Sequence, residues 1–148
     1  MNFPVKTFEI NGTNGEVIRL EITEVYGFPN ETSFRGGYDV KCSLEIACGI
    51  YSTKTDCYYS STGAICEFYN QLKQCYDTLN GKAHYEVYCA ENDLIFEVLF
   101  DSGKAQVKGK YQDEPMTKNV LHFEFLCDQS YFNETLTDLK KAINLFVI

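Results

Sequence analysis

Tryptophan is absent from this chain, histidine occurs twice and proline three times. No apolar run approaches the roughly twenty residues that a membrane-spanning helix requires. The first ten residues, MNFPVKTFEI, contain no basic leader, no long apolar core and no small-residue cleavage site, so no signal peptide is expected. The expectation is a cytoplasmic chain with no membrane partner. Clustered Lys and Arg are missing too. The 13 basic residues are outnumbered by 21 acidic ones, for a net charge of −8. The deficit runs through the chain, with six basic against nine acidic residues in 1–74 and seven against twelve in 75–148. Phosphate binding needs a basic cluster, so direct contact with nucleic acid is not expected. An acidic surface suits encounter with a basic protein, and it also simply keeps a protein soluble.

The seven cysteines (42, 48, 57, 66, 75, 89 and 127) include no CxxC pair. Their odd number and the missing export signal argue against a disulfide framework, and their spacing offers no metal site. Cys42 and Cys48 continue the apolar set Tyr38, Val40, Leu44, Ile46; Cys89 continues Tyr85 and Val87; Cys127 continues Leu121, Phe123 and Phe125. Each is expected to act as a small buried hydrophobe on the inner face of a strand. No cofactor motif is present. Gly36-Gly37 lacks the spacing of a phosphate-binding loop and precedes a strand.

What the chain does have is aromatics. Eleven Phe and eleven Tyr in 148 residues suit a strand-rich core. The length predicts one domain, residues 1–148. Its centre is Ser61–Gly81, where Ile65, Phe68, Leu72, Cys75 or Tyr76, and Leu79 recur at three- and four-residue steps, the spacing of one helical face. Ser61 or Thr62 suits the N-cap, and Gly81 suits a left-handed residue after the last turn.

Before this helix, Phe3–Ile10 and Glu16–Val25 predict a hairpin across the NGTNG turn. The irregular Tyr26–Gly37 follows, then an alternating strand over Tyr38–Cys48 and its neighbour over Gly49–Tyr59. After the helix comes a four-strand meander: Ala83–Cys89, Leu94–Phe100, Lys104–Tyr111 and Val120–Cys127. Leu94–Phe100 is apolar on both faces, which predicts a central strand covered on both sides. The lysines 104, 108 and 110 on one face of the third strand predict a guarded sheet edge. Asp128-Gln129-Ser130 caps a final helix to about Leu145, with Phe132, Leu136, Leu139, Ile143 and Phe146 as its stripe. The expected fold is α+β, an antiparallel sheet of about seven to eight strands with two amphipathic helices. One curved sheet and a sandwich remain alternatives.

Catalytic constellations are thin. His84 and His122 fall at polar positions of strands, and His122 shares a face with Glu124, as an acid–base pair would. Solvated sheet residues read the same way, and no cysteine carries the signature of an activated nucleophile.

The segments GFPNETSFRGGYDVKCSLEI, STGAICEFYNQLKQCYDTLNGKAHYE, VKGKYQD and LHFEFLCDQSYFNETLTDL occur in an order that resembles the WapI-like immunity proteins. These are small bacterial proteins that protect a cell from its own contact-delivered toxin. The resemblance rests on Phe34-Arg35-Gly36-Gly37-Tyr38-Asp39, on Phe68, Tyr69, Leu72 and Leu79, on Gly109 and Tyr111, and on Asp128-Gln129-Ser130. It implies a binder and not an enzyme, which inhibits a cognate toxin C-terminal domain, often a nuclease, one to one. The outward carboxylates Glu31, Asp39, Glu45, Glu124 and Asp128 are the expected toxin contacts. Two other readings stand beside it: a small-ligand or regulatory module with a pocket lined by Tyr and Phe, and an enzyme using His122, Glu124 or a cysteine.

Overall fold

A computed structural model describes residues 2–33, 36–88, 93–114 and 116–146. The reading of Cys89 as a core residue, and the Phe34-Arg35 part of the family resemblance, lie outside them. Four strands form a first antiparallel sheet in the order β1 (Val5–Asn11), β2 (Val17–Tyr26), β3 (Asp39–Cys48) and β4 (Tyr51–Ser61). The helix α1 (Thr62–Thr78) then leads into a second sheet ordered β5 (Gly81–Tyr88), β6 (Asp93–Asp101), β7 (Lys104–Gln112) and β8 (Val120–Asp128). A 3-10 turn, Gln129–Tyr131, introduces the last helix, α2 (Phe132–Asn144).

The two sheets face each other through their apolar sides. Period-two alternation puts Phe8, Leu20 and Leu44 in one cross-strand row, with Ile10, Ile18 and Ile46 in the next. Opposite them, Tyr85, Phe96, Gly109 and Phe123 form a row of the second sheet. Phe8 meets Tyr85 and Phe96 with ring centroids 5.9 and 6.1 Å apart. Phe68 of α1 enters the same cluster, 5.7 Å from Phe8 and 5.3 Å from Phe96. Burial of these rings is a large apolar contribution at the centre of the fold. The hydroxyls of Tyr58 and Tyr85 bond at 2.9 Å, and Ser60 reaches Tyr85 at 2.6 Å, so the buried tyrosines satisfy their polar ends.

Each helix lies along a sheet edge. Gln71 of α1 accepts the His84 amide of β5 at 2.7 Å, and Thr135 of α2 donates to the Glu9 carbonyl of β1 at 2.8 Å. Ser61 is the N-cap of α1, its hydroxyl accepting the Ala64 amide at 3.1 Å. At the other end Leu79, not Gly81, takes the left-handed position, with φ 58°. Leu79 therefore leaves the apolar stripe and is exposed. Asp128, expected to cap the final helix, caps the 3-10 turn before it, and α2 itself starts after Tyr131 with no side-chain cap; Phe132, Leu136, Leu139 and Phe146 are buried.

The lysine-bearing β7 is an interior strand, between β6 and β8. Its lysines guard no edge; they stand in the outer face, where Lys108 lies between Glu97 and Glu124 in register and Lys104 opposite Asp101 and Asp128. Opposite charges across strands account for the row. On β6, Ile95 and Leu99 are only half-buried on that outer face. Among the described residues no helix is long and apolar enough to cross a membrane.

Candidate functional site

The inner faces are consumed by packing, so recognition falls to the outer faces, the loops and any cleft. Alternation would turn Glu24 and Tyr26 inward with Ile18, Leu20 and Ile22. A β-bulge between Ile22 and Glu24 reverses that phase. Val25 then points in, opposite Val40, while Glu24 stands outward beside Lys41, and Tyr26 beside Asp39. In β4 a second bulge presents Asp56 and Cys57 together opposite Ser43, and Tyr59 pairs with Lys41. The result is a surface across three strands at one end of the first sheet, carrying Glu24, Asp39 and Asp56. Among the described residues Lys41 is its one cation. The Glu24 carboxylate accepts the Tyr26 hydroxyl, and loss of hydration with this bond raises the phenol above its ordinary value.

The loop after β2 extends this surface. Gly27 turns the chain, its carbonyl accepting the amides of Asn30 and Glu31, each at 2.6 Å, which sets Glu31 next to the end of β2. Phe28 packs edge-on against Tyr38 at 4.9 Å yet stays 42% exposed; Tyr26 is 40% exposed. Gly37 has φ +69°, and a Cβ there would collide with Thr62 Oγ1. Glycine is what lets the loop lie against the first turn of α1.

The five carboxylates expected as contacts fall into three places. Glu31 and Asp39 belong to the surface just described. Glu45 is six residues along β3 from Asp39, about 20 Å away at ~3.3 Å per residue, in the row Glu9–Arg19–Glu45–Lys54. Arg19 bonds Glu45 at 2.6 Å and, through Nε, Glu9 at 2.7 Å. Partial burial pushes the Glu9 carboxyl up, but the Arg19 bond and charge outweigh it and hold it below its ordinary value. Glu124 and Asp128 stand on the outer face of the second sheet. Glu124 accepts from the Gln106 amide group. Asp128 accepts from Ser130 N at 2.9 Å and Ser130 Oγ at 2.6 Å, and these bonds lower its pKa. Glu45 and Asp128 thus hold other parts of the chain.

The second sheet also brings both histidines together. His84 and His122 line an open depression of about 260 Å³ with Ile95, Glu97, Lys108 and Lys110. His84 Nδ1 lies 3.8 Å from Glu97. Among the described residues no cysteine lines the depression, and Cys42 and Cys127 are buried, their thiols pushed up by desolvation, Cys127 to about 12. Cys48, expected to be buried, is only half-buried near the end of β3, and Cys57 is exposed, because the β4 bulge turns it outward. Among the described residues no three His, Cys, Asp or Glu side chains converge to hold a metal. A separate cleft of about 320 Å³ lies between α1, α2 and β2, lined by Ile22, Ile65, Cys66, Ile143 and Phe146 among others. Among the described residues Phe146 is the one aromatic in its lining. The expected Tyr- and Phe-lined pocket thus takes a different, mainly aliphatic form.

The two facing sheets thus carry an acidic, aromatic-bearing outer surface at one end of the first sheet. The sequence profile of the WapI-like immunity protein family matches residues 9–147. The chain belongs to that family and is an immunity protein. No curated protein matches it. Among solved structures, a chain of the CdiA-CT/CdiI toxin and immunity complex from Enterobacter cloacae is similar over 80% of this chain and 98% of its own, at 9% identity and a TM-score of 0.44. At that distance neither contacts nor binding surface transfer.

Proposed function

We propose that this immunity protein neutralises a cognate nuclease-type toxin domain in the cytoplasm by covering its basic, nucleic-acid-cutting surface, without turnover. Tyr26 and Phe28 act as aromatic anchors, and Glu24, Glu31, Asp39 and Asp56 supply the polyanionic surround. The observation that carries this reading is the coincidence of two half-exposed rings with four outward carboxylates at one end of one sheet. Family membership supports the immunity role, and the net charge of −8 supports electrostatic steering toward a basic partner.

The test starts with a tagged pull-down at low and high salt to obtain the toxin, followed by calorimetric titration of its purified domain. Tyr26→Ala with Asp39→Lys is expected to weaken the complex about a hundredfold or more, while Glu124→Lys leaves it intact. The reverse pattern transfers the contact to the outer face of the second sheet. A partner with no activity on nucleic acid removes the nuclease part and leaves the binding part standing.

The cleft between the helices favours a second reading, a site for a small aliphatic ligand. Substituting Ile65→Phe to fill it tests that reading: unchanged toxin neutralisation separates the cleft from the immunity role.

A further inference from the structure

A four-stranded antiparallel sheet has two edges, and this domain has four in all. Three of them are occupied. Gln71 of α1 bonds the edge of β5, and Thr135 of α2 bonds the edge of β1. The edge of β8 meets the first sheet, where the Thr13 amide donates to the Leu126 carbonyl at 2.8 Å and Cys48 Sγ approaches the Glu124 carbonyl at 3.6 Å. The fourth edge is β4. Among the described residues, no segment besides β3 bonds the stretch Tyr51–Cys57; the Cys57 amide turns to its own neighbour, Thr55 Oγ1, at 3.1 Å. Most of this stretch is exposed, which an edge covered by its own fold would not be.

The sequence of this edge, Thr53-Lys54-Thr55-Asp56-Cys57, is complementary to itself. Two antiparallel copies related by a two-fold axis can meet only in registers that place a residue opposite its own counterpart. Centring on Lys54 sets ammonium against ammonium, and centring on Asp56 sets carboxylate against carboxylate. Centring on Thr55 sets Lys54 opposite Asp56 of the second copy, twice, with the hydroxyl-bearing threonines on the axis. Lys54 makes no ion pair among the described residues.

We propose that β4 pairs with β4 of a second copy of this chain in the Thr55-centred register, joining the two first sheets into one of eight strands. The β4 bulge at Asp56–Cys57 interrupts the regular ladder, so the pairing is short and the dimer concentration-dependent. The outer faces of both first sheets then lie side by side, offering two acidic surfaces to toxin at once.

Sedimentation of the full chain over a concentration series tests this. Wild-type protein is expected to pass from monomer to dimer. Lys54→Asp and Asp56→Lys, each creating two like-charge contacts, raise the dimer dissociation constant about tenfold or more, and the double swap Lys54→Asp/Asp56→Lys restores it. Both positions are exposed, and circular dichroism of each variant checks that the fold persists. A wild type that stays monomeric at every concentration overturns the proposal. So does a dimer indifferent to the single changes, or a double swap that fails to restore. A wild type that stays monomeric and whose toxin affinity falls in Lys54→Asp, a change that makes the surface more acidic, overturns it in favour of an extended toxin segment on this edge.

Discussion

Tyr38 and Thr62 exchange a reciprocal pair of hydrogen bonds: the Tyr38 amide donates to Thr62 Oγ1 at 2.7 Å, and the Thr62 amide donates to the Tyr38 carbonyl at 2.9 Å. The bonds tie the end of the loop after β2 to the start of α1, and Gly37 beside them has neither room nor backbone angles for a side chain. Gly37→Ala is expected to lower stability by about 1–3 kcal/mol. Chemical denaturation measures it. Because Glu31 and Phe28 ride on this loop, toxin affinity falls as well, beyond what a loss of folded protein accounts for.

Phe68 is the bolt between the helix and the two sheets, in ring contact with Phe8, Tyr85 and Phe96. Phe68→Ala leaves a cavity in the centre of the core and costs about 3–5 kcal/mol. Phe68→Leu recovers a large part of that. If both variants match the wild type in urea, the central packing is not where the stability lies.

Glu9 gives the fold an acid sensitivity with a definite sign. Its folded pKa lies below the ordinary value of 4.5, so its contribution is complete above that value. It is lost as pH falls through the folded pKa. Stability plotted against pH for wild type and Glu9→Gln is expected to differ near neutrality by about 1 kcal/mol, a figure kept small by the exposure of Arg19. The curves converge in acid. Curves that stay parallel down to the lowest pH would show that the carboxylate contributes no charge interaction.

Asp128 separates structure from recognition. Asp128→Ala removes the two bonds to Ser130 and is expected to lower the thermal midpoint, while toxin affinity stays at the wild-type level. A variant that keeps its midpoint and loses toxin would reverse the assignment.

The helices and strands were legible in the sequence because period and end signals agreed. Ser61 caps a 3.6-residue stripe, Asp128 caps another region, and Ile18, Leu20 and Ile22 alternate cleanly. Two sheets rather than one could not be read there, since pairing between β4 and β5 is decided by the intervening helix and not by either strand. The lysines of β7 misled for a related reason: a charged row suits an edge, and it suits an outer face with carboxylates on both neighbours equally well. At the candidate site Glu31 and Asp39 were visible as outward carboxylates, whereas Glu24 and Tyr26 were not. Strict alternation hides them, and the clue was Val25, an apolar residue out of phase with Ile22. The pairing of Glu45 with Arg19 is not legible in the sequence, because the two come together only across β2 and β3.

Placing the helices along strand edges has one more effect. Among the described residues neither outer sheet face has a layer of helices to accommodate, so substitutions there need only avoid disturbing a few ion pairs and caps. A protein built this way can exchange one adversary for another by point changes on an open surface while its interior stays the same.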